Sequence, residues 1–185
     1  MLDAPLDGAV CAHCWAAARL AAGNYDGALR DIIHAFKYEG RRSLAPPLGA
    51  MLREAGVDRL RDAECVVPVP LHPWKRLRRG FNQAADLSHQ LGLPVVHALW
   101  RVRVTMSQAG LTAAGRQRNV RGAFRVSPWL SRGARERFID DRIVVVIDDV
   151  RTTGATLDAC AEVLRQSGVR EVRTLTLARA ALQHG

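Results

Sequence analysis

The stretch RIVVVIDD, residues 142–149, constrains the fold of this 185-residue chain most, because five consecutive β-branched apolar residues precede two carboxylates. A strand that is apolar on both sides must be covered on both sides, which is typical of a parallel sheet between helices. Apolar residues at helical spacing follow over 156–167, and residues 171–178 have the composition of another strand. Strand, helix and strand in this order predict a doubly wound α/β domain with a parallel sheet.

The preceding part of the chain adds further predicted elements. Residues 26–37 place four apolar side chains on one face of a helix with Asp26 as its N-cap, namely Leu29, Ile32, Ile33 and Phe36. The other expected elements are a helix over 43–54, a buried strand broken by prolines over 65–70, a basic loop over 71–80, a helix over 81–91 and a strand over 94–99. Two stretches without a clear period predict a mobile loop with a helical turn (101–124) and a polar linker (127–137).

The charge balance favours polyanionic partners. The chain has 27 basic and 18 acidic residues, a net charge of +9, and its basic residues are arginines except for Lys37 and Lys75. Planar guanidinium groups suit phosphate oxygens, so nucleotides, pyrophosphate esters and nucleic acids all fit. No apolar run reaches about 18 residues, so no membrane span is expected. The N-terminus lacks the basic and apolar regions of a signal peptide, which predicts a cytoplasmic protein.

The four cysteines fall into two groups. Cys65 and Cys160 lie in apolar surroundings, and we expect both to be buried. Cys11 and Cys14 form CAHC, which has the spacing of half a zinc site, but the sequence contains no second CxxC. An incomplete zinc knuckle, a pair without function and a redox pair are the three alternatives. We predict no tightly held stoichiometric zinc in the monomer.

The residues after the strand 142–149 have the properties of a phosphate cradle. Gly154 lets the backbone approach a ligand closely, and the amides of 152–156 would point outward at a helix N-terminus, where an anion is favoured. The spacing matches neither a P-loop nor a dinucleotide-binding loop. Because Asp148 and Asp149 would repel phosphate, we expect them to face vicinal hydroxyls, as acidic residues of dinucleotide-binding folds do. The alternative is an acidic pair and threonines that cap the helix and bind nothing.

The stretch VVVIDDVRTTGAT, residues 144–156, resembles the motif with which type I phosphoribosyltransferases bind phosphoribosyl pyrophosphate (PRPP). Three further stretches resemble the ComF/GntX family: FKYEGRRSLAPPL (36–48), VPVPLHPWKRLRRGFNQA (67–84) and RVRVTMSQAGLTAAGRQRNVRGAF (101–124). That family has an amidophosphoribosyltransferase-like domain and is associated with DNA uptake during natural competence. The resemblance implies an N-terminal segment, 1–25, with part of a zinc ribbon, and a phosphoribosyltransferase-like domain with a flexible hood loop, 26–185.

The resemblance also implies roles for individual residues. Asp148 and Asp149 would accept hydrogen bonds from the ribose hydroxyls. The ribose 5-phosphate would be held by Thr152, Thr153, Gly154, Ala155 and Thr156, and Val150 and Arg151 belong to the same PRPP-binding stretch. Pyrophosphate and the hood would involve Arg76, Arg79, Gly80, Arg103, Gln108, Arg116 and Asn119. Mg²⁺ would accompany PRPP and stabilise the leaving group. We identify no catalytic base.

Two functions of different class follow. The first is an enzyme that transfers phosphoribose from PRPP to an unidentified acceptor and releases pyrophosphate. The second is a protein without catalytic activity that senses a phosphosugar and binds single-stranded DNA for uptake. Its candidate DNA surface is a basic cluster beside an aromatic residue: Trp74, Lys75, Arg76 and Arg78.

Overall fold

A computed structural model describes residues 23–25, 27–103, 120 and 122–180. Its strands are β1 (Gly23–Asn24), β2 (Cys65–Pro68), β3 (Leu99–Arg101), β4 (Phe124–Val126), β5 (Ile143–Arg151) and β6 (Glu171–Arg179). Its helices are α1 (Gly27–Tyr38), α2 (Ala45–Ala55), α3 (Val57–Leu60), α4 (Pro73–Arg79), α5 (Gln83–Ser88), α6 (Arg132–Phe138) and α7 (Ala155–Gln166), with a 3₁₀ turn at Arg42–Leu44.

The main sheet is parallel, with the strand order β1-β6-β5-β2. Strand β2 ends at Pro68, which pairs with Ile147, whereas β5 continues beside β6 as far as Arg151. The last four residues of β5 therefore extend past the end of β2. Ligands of open α/β sheets bind beyond the carboxyl ends of the strands, so this end of β5 is the place to look for a site.

The predicted doubly wound α/β fold is confirmed, because helices cover both faces of the sheet. Val145 and Ile147 pack in a core with side chains of α1 and α2, while Val144 and Val146 pack in a second core with α7. Successive residues of a strand point to opposite faces, which explains why β5 is apolar throughout. Burying each large apolar side chain contributes about 1.5–3 kcal/mol.

The helices that the sequence marked most strongly are confirmed in position and orientation. The expected inward residues of α1, of α2 with the 3₁₀ turn before it, and of α7 are all buried: Leu29, Ile32, Ile33, Phe36, Leu44, Leu48, Met51, Leu52, Leu157, Cys160, Ala161 and Leu164. Gly168 follows α7 with a φ of +102°, as a helix-ending glycine does. Cys65 and Cys160 are buried, and burial raises the pKa of both thiols, to about 12 for Cys65. Asp26 lies outside the described residues.

The prediction of a basic loop over 71–80 was wrong, because residues 73–79 form α4. His72 caps this helix by accepting a hydrogen bond from the backbone N–H of Trp74. Pro73 occupies the first turn, where its missing N–H costs nothing, and Gly80 ends the helix with a φ of +78°. The helix has no buried residue, so it lacks the apolar period by which a helix is found in a sequence.

Residues 81–138 contain three further corrections. The helix predicted over 81–91 is shorter in the structure, where α5 covers Gln83–Ser88. The strand predicted over 94–99 is joined to the main sheet by a single bridge between Val95 and Val66. Residues 127–137 are not a linker throughout, since α6 begins after Ser131, whose hydroxyl accepts from the N–H of Ala134. Strands β3 and β4 pair antiparallel and flank the predicted hood.

Several predictions concern parts of the chain that lie outside the described residues. They are the hood residues Gln108, Arg116 and Asn119 and the cysteine pair Cys11 and Cys14. The zinc prediction and the boundary between residues 25 and 26 therefore stay predictions. No helix in the described ranges is long and apolar enough to cross a membrane. The cytoplasmic location also stays a prediction.

Candidate functional site

A cavity of about 420 Å³ lies at the carboxyl end of β5. Charged side chains from four elements line it: Asp148, Asp149 and Arg151 from β5, Lys37 from α1, Lys75 and Arg79 from α4, and Arg101 from β3. The cavity also includes Thr152, Gly154 and Thr156 from the turn into α7. The motif at the end of β5 and the basic segment 73–79, which are far apart in the sequence, therefore meet at one place.

The two carboxylates have different partners. Asp149 is buried, and its Oδ1 lies 3.0 Å from the Nζ atom of Lys37. Burial lowers the pKa of Lys37, but the charge and hydrogen bond of Asp149, with the charge of Asp148, outweigh burial and raise it. The backbone N–H of Asp149 donates to Oδ1 of Asp148 at 2.9 Å. The side chains of adjacent strand residues leave the backbone on opposite faces of a sheet. Both carboxylates nevertheless line the same cavity, because β5 extends past the end of β2.

Asp148 is the carboxyl group with the more perturbed proton equilibrium. Burial and, after it, the negative charge of Asp149 raise its pKa from 3.8 to about 7, although the positive charges of Lys37 and Arg101 and the hydrogen bond from the Asp149 N–H act in the opposite direction. A carboxyl group that is protonated near neutral pH exchanges its proton easily when a ligand or cation arrives. Such perturbed groups in a cavity are typical of functional sites.

The turn from β5 into α7 has the geometry of an anion site. Gly154 has a φ of +87°, and an added Cβ would lie 3.0 Å from the Nε and Nη2 atoms of Arg151. Glycine therefore allows both the backbone conformation and the close approach of this guanidinium group. The hydroxyl of Thr153 accepts weakly from the N–H of Ala155 at 3.5 Å. Helix α7 is 12 residues long, and its first amides and its dipole favour an anion at this end.

Helix α4 divides the basic cluster between two surfaces. Lys75 and Arg79, four residues apart on one side of the helix, line the cavity. Arg76 and Gly80, which we expected beside pyrophosphate, instead line a neighbouring groove. Trp74 is 71% exposed and Arg78 is also exposed. Arg79 is held in place by donating to Oε1 of Gln83 at 3.1 Å and by stacking over the ring of Tyr38 at 4.8 Å.

Several polar residues of the cavity were not predicted from the sequence, and three of them offer charge or a hydrogen-bond donor to a ligand. Arg101 is 7% exposed and lines it, whereas the expected Arg103 is exposed and is not among the lining residues. Gln83 is 1% exposed, and its Nε2 atom has no hydrogen-bond partner among the described residues. A buried amide without a partner is costly, so this donor is a candidate for a ligand oxygen. Lys37 is the third, and its rarity in an arginine-rich chain was the available signal.

The neighbouring groove is larger, about 880 Å³, and more aromatic. The rings of Trp100 and Trp129 meet edge to face at 4.6 Å and 79°, and Trp129 is 70% exposed. Its basic and polar lining includes Arg42, Arg76, His89 and His97. Burial and the charges of His89 and Arg76 lower the pKa of His97, which favours its neutral form.

Comparison with known proteins agrees with the fold and the motif. Residues 77–183 match the family described as "Phosphoribosyl transferase domain", which together with the parallel sheet and the cavity at its carboxyl end defines a type I phosphoribosyltransferase-like protein. The chain is 36% identical over 168 residues to "Competence protein F" of Haemophilus influenzae, covering 85% of this chain and 71% of that protein. It is 32% identical over 170 residues to "DNA utilization protein YhgH" of Escherichia coli K12, covering 84% and 69%. The chain belongs to the ComF family, as its sequence predicts.

Two solved structures are also similar to the chain. One is an allosteric regulatory enzyme of purine biosynthesis, with 22% identity and a TM-score of 0.45, over 73% of this chain and 25% of that one. The other is the orotate phosphoribosyltransferase of Aeropyrum pernix, with 19% identity and a TM-score of 0.40, over 82% and 76%.

Proposed function

We propose that this protein binds PRPP in the cavity at the end of β5 and transfers its phosphoribosyl group to a nitrogen nucleophile. The observation that carries the proposal is the distribution of charge in the cavity. A pair of carboxylates lies beside an anion-binding helix end, and among the described residues Lys37, Lys75, Arg79, Arg101 and Arg151 add positive charge around them. A ligand with hydroxyls between two phosphate groups fits this distribution.

The sugar and its 5-phosphate would lie along the end of β5. Asp148 and Asp149 would accept hydrogen bonds from the vicinal hydroxyls, and the amides and hydroxyls of residues 152–156 would bind the phosphate. Arg151, which packs against Gly154, adds a cation at the same place. Glycine at residue 154 leaves room for the guanidinium group of Arg151 at this turn, because an added Cβ would lie 3.0 Å from its Nε and Nη2 atoms.

The pyrophosphate would lie towards α4. Lys75 and Arg79 face the cavity from this helix, Arg101 faces it from β3, and Gln83 offers an amide donor without a partner in the described ranges. Charge develops on the leaving pyrophosphate during the reaction, so fixed cations at this end lower the barrier. Burial and the charges of Arg101 and Arg79 lower the pKa of Lys75, as expected of cations crowded together for an anion.

The proposed reaction needs little proton transfer by the protein. The lone pair of the acceptor nitrogen forms a bond to C1 of the ribose, the bond from C1 to the pyrophosphate oxygen breaks, and pyrophosphate leaves with its electron pair. The proton lost by the nitrogen goes to solvent. Positioning and electrostatic stabilisation are therefore the contributions that we assign to this chain's residues.

The residues present fit a Mg²⁺ ion that arrives with the ligand. Mg²⁺ is commonly bound by one or two carboxylates together with substrate phosphates, and Asp148 and Asp149 provide such a pair. Among the described residues, no group of three or more histidine, cysteine or acidic side chains could hold a metal ion. When bound, the ion would neutralise charge on the pyrophosphate.

A pyrophosphate-release assay tests the proposal. The full chain is incubated with PRPP, Mg²⁺ and a panel of nucleobases and amines, and we expect release that depends on one acceptor class. Ribose 5-phosphate in place of PRPP is the control, because it has no pyrophosphate to lose. Binding of PRPP without release for any acceptor would favour a sensing protein over an enzyme.

A second function, binding of single-stranded DNA, is favoured by the groove beside α4. Trp129 and Trp100 offer ring faces and edges to bases, and Arg76 with exposed Arg78 offers charge to phosphates. Two relatives are named for competence and for DNA utilization, and we extend that link to this chain. The DNA surface that we propose combines this groove with the exposed side of α4.

Gel-shift titration with single-stranded DNA at several salt concentrations tests this second function. Replacing Arg76 and Arg78 together by glutamine should lower the slope of log affinity against log salt by about one to two units, at about 0.7 for each lost phosphate contact. PRPP should not displace the DNA, because Arg76 lies in the groove. Displacement would assign the basic cluster wholly to pyrophosphate, and an unchanged slope would move the DNA elsewhere.

A further inference from the structure

Lys37 is enclosed with a carboxylate at the centre of the candidate site. It lies in the last turn of α1, and its ion pair with Asp149 has 13% and 11% of the two side chains exposed. The ammonium group also lies 6.0 Å from the ring centroid of Tyr25. An ion pair so nearly buried differs from a surface pair, because removing one partner leaves the other charge without compensation.

Composition singles out the same position. Lysine is used at two of 27 basic positions in the chain, and both lysines line the same cavity. Their surroundings nevertheless differ. The charged neighbours that act on Lys75 are the cations Arg101 and Arg79, whereas Lys37 is engaged with the two acidic residues of β5. The two lysines therefore serve different ends of the cavity.

We propose that Lys37 is a positioning residue for the sugar end of the ligand. It holds Oδ1 of Asp149, which leaves the other oxygen of Asp149, together with Asp148, to meet the vicinal hydroxyls of a ribose 5-phosphate group. This inference rests on the proposed function, because it requires the sugar to lie at the carboxylates.

Two physical arguments support the role. Two adjacent carboxylates repel a ligand that carries phosphate, and a fixed ammonium group at 3.0 Å offsets one of these charges before the ligand arrives. The pair also fixes the direction of Asp149, whose side chain starts from the face of the sheet that α1 covers. The other cations of the cavity have different tasks, as Arg79 is bound to Gln83 and Arg151 packs on Gly154.

Calorimetric titration of the full chain with the two halves of the ligand tests the inference. Ribose 5-phosphate and pyrophosphate are used separately, each with Mg²⁺. We expect Lys37→Met to weaken ribose 5-phosphate at least about tenfold, as for one partner of a buried charge pair, and to change pyrophosphate affinity less than about threefold. Lys75→Met, the matched control in the same cavity, should show the reverse pattern.

A double variant separates positioning from direct contact. If Lys37 acts through Asp149, Lys37→Met combined with Asp149→Asn should bind ribose 5-phosphate no more weakly than Asp149→Asn alone, to within about twofold. Lys37→Gln keeps a hydrogen-bond donor and should therefore lose less ribose 5-phosphate affinity than Lys37→Met. If circular dichroism shows that Lys37→Met is unfolded, Lys37→Gln takes its place in both experiments.

The outcomes distinguish this inference from the proposed function. Equal losses for both ligands in the Lys37 variants, or a further loss in the double variant, would overturn the role of Lys37 alone. Failure of the unmodified chain to bind either ligand would overturn the proposed function and this inference with it. A selective loss of ribose 5-phosphate would support the role even if no acceptor is ever found.

Discussion

The cavity at the end of β5 and the groove beside it are neighbours of opposite character. The cavity is the smaller, about 420 Å³ against about 880 Å³, and charges of both signs line it. The groove presents the rings of Trp100 and Trp129. Its lining also includes Arg42 and Asp86, whose charges neutralise each other because Arg42 donates two hydrogen bonds, of 2.7 and 2.9 Å, to the carboxylate of Asp86. Paired opposite charges suit a small phosphosugar, whereas rings with scattered cations suit a longer, stacked polyanion.

Helix α4 teaches why a cluster of charges in a sequence is not yet a site. Its basic residues are adjacent in the chain, but the helical period sends Lys75 and Arg79 to the cavity and Arg76 to the groove. One seven-residue helix thus serves both surfaces. The two proposed functions depend on this division of α4 between the cavity and the groove.

The largest effect is expected when the cavity loses both carboxylates. Asp148→Asn with Asp149→Asn should weaken PRPP about a hundredfold or more, since each charge-assisted hydrogen bond contributes about 1.5–3 kcal/mol. The groove should keep its DNA affinity. Calorimetry and gel shift measure the two affinities, and Asp31→Asn, an exposed residue of α1, is the control. Unchanged PRPP affinity would remove the carboxylates from the site.

The groove should respond to loss of its exposed ring. Trp129→Ala should weaken single-stranded DNA by about 1–3 kcal/mol, the contribution of one stacked base, with PRPP affinity unchanged. Trp74→Ala is the comparison within the same proposed surface: Trp74 is equally exposed (71% against 70%) but lies on α4 outside the groove, so its loss should cost less DNA affinity. A larger loss for Trp74→Ala would place the DNA on the outer side of α4 instead.

The turn between β5 and α7 should be sensitive to a single methyl group. Gly154→Ala imposes a left-handed conformation on alanine and crowds Arg151, so the free energy of unfolding should fall by about 1–2 kcal/mol and ribose 5-phosphate should bind more weakly. Gly133→Ala in α6 is the control, since an added Cβ there has no neighbour within 4 Å, and it should leave stability equal or slightly higher. Equal behaviour of both variants would contradict the cradle geometry.

The carboxyl group of Asp148 should make stability depend on pH. Folding raises its pKa from 3.8 to about 7, so the folded state binds this proton more tightly than the unfolded chain. The stability that the folded protein gains from binding this proton is complete below about pH 4 and is lost as the pH rises towards 7. Asp148→Asn should therefore gain at least about 1 kcal/mol over the unmodified chain between pH 4 and pH 8. Urea denaturation measures the difference, and a constant difference would show that burial of this group costs nothing.

Much of the fold could be predicted because the sequence carries period and composition where packing decides the structure. The apolar strand β5 and the stripes of α1, α2 and α7 are of this kind. Helices α4 and α6 were missed because neither has a buried residue, and they are defined instead by the caps His72 and Ser131. Capping is visible in a sequence only when the helix that follows is already suspected.

The candidate site could be predicted in its continuous part and not in its assembled part. Residues 148–156 form a local motif, and all of them lie at the carboxyl end of the sheet as expected. Lys37, Gln83 and Arg101 reach the cavity through tertiary packing, about which spacing along the chain carries no information. The position of Arg76 in the groove could not be predicted for the same reason, since its direction depends on α4 being a helix.

A calorimetric titration of the full chain with PRPP and Mg²⁺ tests the proposed PRPP site most directly. We expect one saturable site per chain, with competition by ribose 5-phosphate and by pyrophosphate added separately, because the two groups occupy opposite ends of one cavity. Absence of saturable binding, or binding that only one of the two fragments displaces, would contradict a phosphoribosyl pyrophosphate site at the end of β5.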